Sequence, residues 1–302
     1  MFQEESYNKH GNWYNKLFPT EESKKAFLQK FKDADQNTVN NWLQKIKFSC
    51  IDPLIAQAGQ SWFTVGDAYG MDAHYITAHG NQQSAHASDL NSDFLSVAHK
   101  EGFIQEFSAE NAEKLSFNDN TFDYILCKET YHHFPRPFMA VYEMLRVSKK
   151  AVVIIEPQDP ISKIPALLFI SNILAAINDK LVQKFWKNRF SYEPVGNFVY
   201  KVSEREFEKL AAGINLPLVA FKKINSHFYF KGAETMKATP GNLKFITLKI
   251  KKKIFDILVA LGVSSSQVLS SVIYKVMPDE QELKRLKDAG YRIVQIPVNP
   301  YL

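Results

Sequence analysis

Three observations predict an open α/β fold, a mostly parallel sheet with helices on both faces. The apolar run Trp62–Val65 breaks into Gly66-x-Ala68-x-Gly70, and a helical pattern over Met71–Ala78 follows at once. A strand that turns sharply under small residues brings backbone N–H groups close to a ligand, and the next helix adds its positive end. Short apolar runs then alternate with helical stretches, the pattern of parallel strands buried on both faces. Finally, Asp89 ends the second run about 20 residues past the glycine turn, where a carboxylate can accept both hydroxyls of a ribose.

The elements follow in order. Ser84–Ser88 reads as the second strand and Asn91–Lys100 as its helix, which Asp89 can also cap. Phe103–Phe107 is the third strand, and beyond it Asn111 and the Ala112 amide can read an adenine edge. The polar turn at Asn118 enters a fourth buried strand ending at Cys127, which runs into Lys128-Glu-Thr-Tyr-His-His-Phe-Pro-Arg-Pro137. Ala140–Val147 is a helix and Val152–Pro157 a fifth strand. The dinucleotide fingerprint needs Gly-x-Gly-x-x-Gly. Here Met71 stands where its last glycine belongs, which sets a nicotinamide dehydrogenase aside.

Beyond Pro157 the regular alternation is interrupted. An insertion over 161–201 holds the apolar stretch Ile164–Ile177 and then Phe185–Tyr192. Ser203-Glu-Arg-Glu206 is a capping-box signal opening a helix to about Ala212. Leu218–Phe230 reads as a strand, and a second insertion over 231–270 carries a helix at Leu243–Leu261. Ser271–Val276 is the last strand expected, followed by a helix at Asp279–Ala289 and an extended tail at Tyr291–Pro297. Residues 1–55 are helical and aromatic-rich, with Trp13, Phe18, Phe27, Phe31 and Trp42 among charges. They either cap the site or pack on the sheet edge. The expected division is a helical cap over 1–55 and a main domain over 56–302 carrying the two insertions.

Composition fits an enzyme of the cytoplasm. The chain of 302 residues is 45% hydrophobic, enough for a substantial core. Cys50 and Cys127 form no disulfide framework or metal cluster, and Cys127 reads as core packing. The N-terminus lacks the basic-then-apolar order of a signal peptide. Ile164–Ile177 is shorter than the ~20 residues of a spanning helix. A net charge of +5 without a recognisable module argues against a nucleic-acid partner.

Taken together, Val65–Gly70, Ala87-Ser-Asp-Leu90, Asn111-Ala-Glu-Lys-Leu-Ser-Phe117, Phe122-Asp-Tyr-Ile-Leu126, His132-His-Phe-Pro135 and Val152–Pro157 resemble the class I S-adenosylmethionine (SAM)-dependent methyltransferases. The resemblance is to the small-molecule branch called methyltransferase type 11, with a flavour of the enzymes encoded in bacterial surface-polysaccharide clusters. It implies a Rossmann-like, seven-stranded sheet with insertions after strands five and six. It implies SAM as cofactor, held by Gly66, Asp67, Ala68, Gly70, Asp89, Leu90, Asn111, Ala112, Lys128 and His133. Two departures stand out: Thr64 replaces the usual acid two residues before the first glycine, and Ala68 replaces the middle glycine. Asp67 and Asp72 are nearby substitutes for the missing acid. A non-catalytic scaffold of the same fold is the alternative these departures leave open.

Ligands of open α/β sheets bind beyond the carboxyl ends of the strands. That places His132, His133 and Glu129 as candidate catalytic groups, and Tyr131, Arg189 and Tyr192 as candidate acceptor contacts. Histidine is the natural base for an acceptor hydroxyl near neutral pH. The expected acceptor is an oxygen, with nitrogen or carbon as lesser options, on a small molecule or glycan. Lys244, Lys249, Lys251, Lys252 and Lys253, interleaved with apolar residues, read either as a solvated face or as a peripheral membrane contact for a lipid-linked substrate.

Overall fold

The computed structural model describes residues 2–33, 37–160, 164–186, 189–193 and 197–301, so parts of the first insertion lie outside the described residues. Four helices open the chain: α1 (Phe2–Leu17), α2 (Glu21–Asp33), α3 (Val39–Phe48) and the short α4 (Asp52–Ile55). The parallel half of the sheet then alternates with helices: β1 (Ser61–Val65), α5 (Met71–His79), β2 (Ser84–Asp89), α6 (Asp93–Lys100), β3 (Glu106–Ala109), β4 (Phe122–Lys128), α7 (Pro137–Val147) and β5 (Ser148–Pro157). The second half contains α8 (Pro165–Ile177), α9 (Asp179–Phe185), α10 (Glu204–Gly213), β6 (Leu218–Ile224), α11 (Leu243–Ala260), β7 (Val268–Tyr274), α12 (Glu280–Asp288) and β8 (Arg292–Gln295).

The strands form one sheet in the order β3-β2-β1-β4-β5-β7-β6-β8. Pairing is parallel from β3 to β5, and β7 runs antiparallel to both β5 and β6. The sheet has eight strands rather than the seven expected. The extra strand is the C-terminal tail, which pairs antiparallel with Leu218–Phe221 and so covers an otherwise open edge.

Strand limits also move. β3 starts at Glu106, opposite His86, while Phe103 and Ile104 are buried ahead of it against α5 and α6. β6 stops at Ile224 rather than Phe230, because Phe228 turns away to pack with Val39, Leu43 and Phe245 of α3 and α11. β7 begins at Val268, in register with Pro157 and Ile224, so the two insertions leave the sheet side by side at its carboxyl edge.

Alternation along the strands splits the core. Trp62, Tyr124 and Leu126 face α5, α6 and α12, whereas Phe63, Ile125 and Val152 face α7 and α10. The capping box forms as expected: the Ser203 side chain accepts the Glu206 amide, and Glu206 accepts the Ser203 amide at 2.7 Å. On the first face, the buried Glu282 of α12 accepts the hydroxyls of Tyr124 and Tyr274, at 2.9 Å and 2.5 Å. Glu282→Ala leaves both hydroxyls without their acceptor and is expected to cost about 2–4 kcal/mol, read from the denaturant midpoint.

Candidate functional site

The turn after β1 is built around backbone conformations that favour glycine. Gly66 has φ +70°, and a Cβ there would run into the Thr130 side chain. The Thr130 hydroxyl donates to the Gly66 carbonyl at 3.0 Å. Gly70, at φ +73°, opens α5, where a Cβ would meet Ile104. The cap comes from Asp67, whose carboxylate accepts the amides of Asp72 (3.1 Å) and Ala73 (2.9 Å) and the Thr64 hydroxyl (3.0 Å). The Asp67 carboxylate is thus taken up by Thr64 and the first turn of α5. Both are buried, and Asp67 does not line the cleft described below.

Asp72 and Lys128 make a second inward pair, 3.0 Å apart beneath the turn. Burial pushes the Asp72 carboxyl up to about 7, with Lys128 opposing that rise. Burial also works against the Lys128 ammonium, but Asp72 and Glu129 outweigh it and hold Lys128 well above its ordinary value. Neither Asp72 nor Lys128 reaches the cleft.

One cleft collects six of the ten cofactor positions the sequence nominates: Gly66, Asp89, Leu90, Asn111, Ala112 and His133. Tyr7, Val65, Glu110, Thr130 and Phe134 complete its lining. Ala68 lines an adjoining depression with Asp89, Phe18 and Phe94. The Asp89 carboxylate accepts the Asn91 amide at 3.1 Å, and burial pushes it up to about 6. A half-dry carboxylate at the end of β2 fits a ligand that brings its own hydroxyl donors, as the ribose of SAM would. Asn111 Oδ1 accepts the Glu113 amide at 2.9 Å and the Tyr7 hydroxyl at 3.3 Å, so α1 touches the cleft. Tyr7 carries no local sequence signal for this, because the contact joins residues far apart in the chain.

The loop after β4 is clamped by Glu156 at the end of β5. Its fully buried carboxylate accepts the amides of Thr130 (2.6 Å) and Tyr131 (2.7 Å) and pairs with His132 Nδ1 at 2.6 Å. His132 Nε2 faces Glu193 at 3.7 Å, while His133 Nδ1 lies 2.9 Å from the same carboxylate. Burial works against the His132 imidazolium, but Glu156 and Glu193 outweigh it and push the ring up to about 10. The bond from His132 pulls Glu193 down to about 2, against burial and with help from His133. Ligand atoms of His132, His133 and Glu193 lie within 4.8 Å of one another. His132 is therefore charged at neutral pH and unable to accept a proton. His133 faces the cleft, backed by Glu193, which sequence reasoning did not single out.

The remaining candidates sit elsewhere. Glu129, with φ +54°, is spanned by Lys47 Nζ at 2.6 Å and lies 3.4 Å from His227. Burial alone would raise its carboxyl, but His227, Lys47 and Lys128 hold it far below the usual range, which makes it a structural anion. Tyr131 is buried against Phe134 and Phe207 rather than facing an acceptor. Arg189 pairs with Asp179 at 3.3 Å, and Tyr192 packs on Phe198, both in the first insertion. Glu156→Gln removes the counter-charge of a buried imidazolium and is expected to lower stability by about 3–5 kcal/mol, read by chemical denaturation at neutral pH.

Comparison with known proteins agrees with this arrangement. The methyltransferase domain family matches residues 63–155. No curated protein matches the chain. Among solved structures, the YcgJ protein of Bacillus subtilis is 19% identical with a TM-score of 0.47, covering 76% of this chain and 99% of that one. A SAM-dependent methyltransferase from Aquifex aeolicus is 20% identical with a TM-score of 0.32, covering 39% of this chain and 73% of that one. Residues 63–155 match a methyltransferase domain, about a third of the chain, and SAM is the cofactor that such a domain implies.

Proposed function

We propose that this enzyme methylates an oxygen of a small molecule or glycan, in the cleft at the carboxyl edge of β1 to β4. The supporting observation is that Gly66, Asp89, Asn111 and His133, each just past a different strand or at its end, line one cleft. In this reading Asp89 accepts the two ribose hydroxyls, and Leu90 packs against the adenine. Asn111 and the Ala112 amide hydrogen-bond the adenine edge. The turn at Gly66 admits the amino-acid end of the cofactor against bare backbone. Bound SAM supplies a methyl group already activated by its sulfonium, so alignment with the acceptor provides much of the rate. His133 takes the acceptor proton while the Glu193 carboxylate beside it stabilises the charge it gains. A glycan acceptor would accord with the surface-polysaccharide enzymes that the sequence resembles.

Calorimetric titration tests the cofactor side. Asp89→Asn is expected to weaken SAM binding about 10- to 100-fold, since a charged acceptor of two hydroxyls is lost. With Asp89 pushed up to about 6, wild-type affinity rises with pH through that value and levels off above it, whereas Asp89→Asn loses this dependence. No heat with SAM in a folded sample would return the scaffold alternative. Glu193→Gln is expected to lower kcat about 100-fold while leaving SAM affinity unchanged, and an unaltered kcat contradicts the role given to His133.

A further inference from the structure

Two helices, one in each insertion, leave apolar side chains uncovered. On α8 the side chains of Phe169, Ile173 and Ile177 are 66%, 46% and 68% exposed, and Ser171 is the helix's one buried residue. On α11, Phe245 and Val259 pack inward, while the opposite side carries an exposed stripe of Ile250, Ile254, Ile257 and Leu261. That stripe repeats at three- and four-residue steps, a continuous apolar face along the helix. Exposed apolar side chains gathered on one face, rather than scattered singly, mark an interaction site.

Charge decides what covers them. Lys251 and Lys253 flank the α11 stripe, Lys244, Lys249 and Lys251 lie over the Phe230, Phe245 and Phe228 rings, and among the described residues none of the four has a carboxylate partner. Lys180 and Lys184 flank α8 on α9. A second copy docking face to face would set these lysine rows against each other. An anionic lipid surface satisfies both components, taking the apolar stripe into its interface and the ammonium groups at its headgroups. No helix of the described residues is long and apolar enough to cross a membrane, so the contact is one of lying on the surface. Pro157, Ile224 and Val268 stand in register, so both insertions spring from the carboxyl edge that also carries His133.

We propose that α8 with α9, together with α11, docks on an anionic phospholipid bilayer and brings the cleft to acceptors anchored there. The bilayer contact is independent of the reading given under Proposed function, whereas the membrane-held acceptor rests on it. The test is flotation with extruded phosphatidylcholine vesicles, with and without about 30% phosphatidylglycerol. The protein is expected to float with the anionic vesicles, to be released by high salt, and to stay behind with the neutral ones. The paired variant Ile254→Glu/Ile257→Glu and the charge variant Lys249→Glu/Lys253→Glu should each reduce the bound fraction ~10-fold. Both should still bind S-adenosylhomocysteine calorimetrically, which verifies that they fold. Failure of the wild type to float while it binds S-adenosylhomocysteine overturns the docking and leaves the enzyme reading intact. Flotation without S-adenosylhomocysteine binding does the reverse. Equal partition onto neutral vesicles, or a dimer by light scattering that Ile254→Glu/Ile257→Glu dissolves, also overturns it.

Discussion

Fully buried at the end of β5, the Glu156 carboxylate takes two consecutive amides and one ring nitrogen from the loop after β4. A carboxylate without water is costly unless its lone pairs are filled and its charge is met. Thr130, Tyr131 and His132 do both, so the loop has little freedom to take another path. Everything on the acceptor side follows from that path. Thr130 is set against Gly66, closing the glycine turn from above. Tyr131 is driven into the core, and His133 is left facing the cleft. Glu129 is held in the left-handed region, where its carboxylate meets Lys47.

Beneath the cleft a second set of buried charges does the same for the cofactor side. Asp67 caps α5, and Lys128 neutralises Asp72 on the first turn of that helix. The charges nearest the turn are thus consumed internally. The cleft itself keeps one half-buried carboxylate, Asp89, at the place where a diol would bind, and one histidine where a methyl acceptor would approach. Division of labour between the two neighbouring histidines comes from their partners rather than from their sequence. Two carboxylates, Glu156 and Glu193, keep His132 charged, whereas His133 lies beside Glu193.

What the sequence made legible was local. The strand before Gly66, the carboxylate at Asp89, the turn at Asn111 and the capping box at Ser203 each announce themselves within a few residues. Their spatial convergence followed from strand order. The misses have a common physical origin in contacts made across long separations. Asp67 looked like a ligand because its side chain direction depends on how Thr64 and α5 pack. Lys128 looked like a cofactor contact until Asp72 claimed it. Glu193 lies in an insertion with no periodicity to single it out, and β8 is a short polar-edged tail that becomes a strand only because β6 offers an unpaired edge. Tyr131 beside two histidines suggested an acceptor wall, but the turn of the loop points it inward.

The claim that Glu156 fixes His132 as an imidazolium, and so leaves proton transfer to His133, can be checked on the ring nitrogens themselves. In a nitrogen-15 NMR titration of the intact enzyme, His132 is predicted to hold both ring protons until the pH reaches about 10. A His132 ring that loses its proton near the ordinary value of 6.5 would contradict the account.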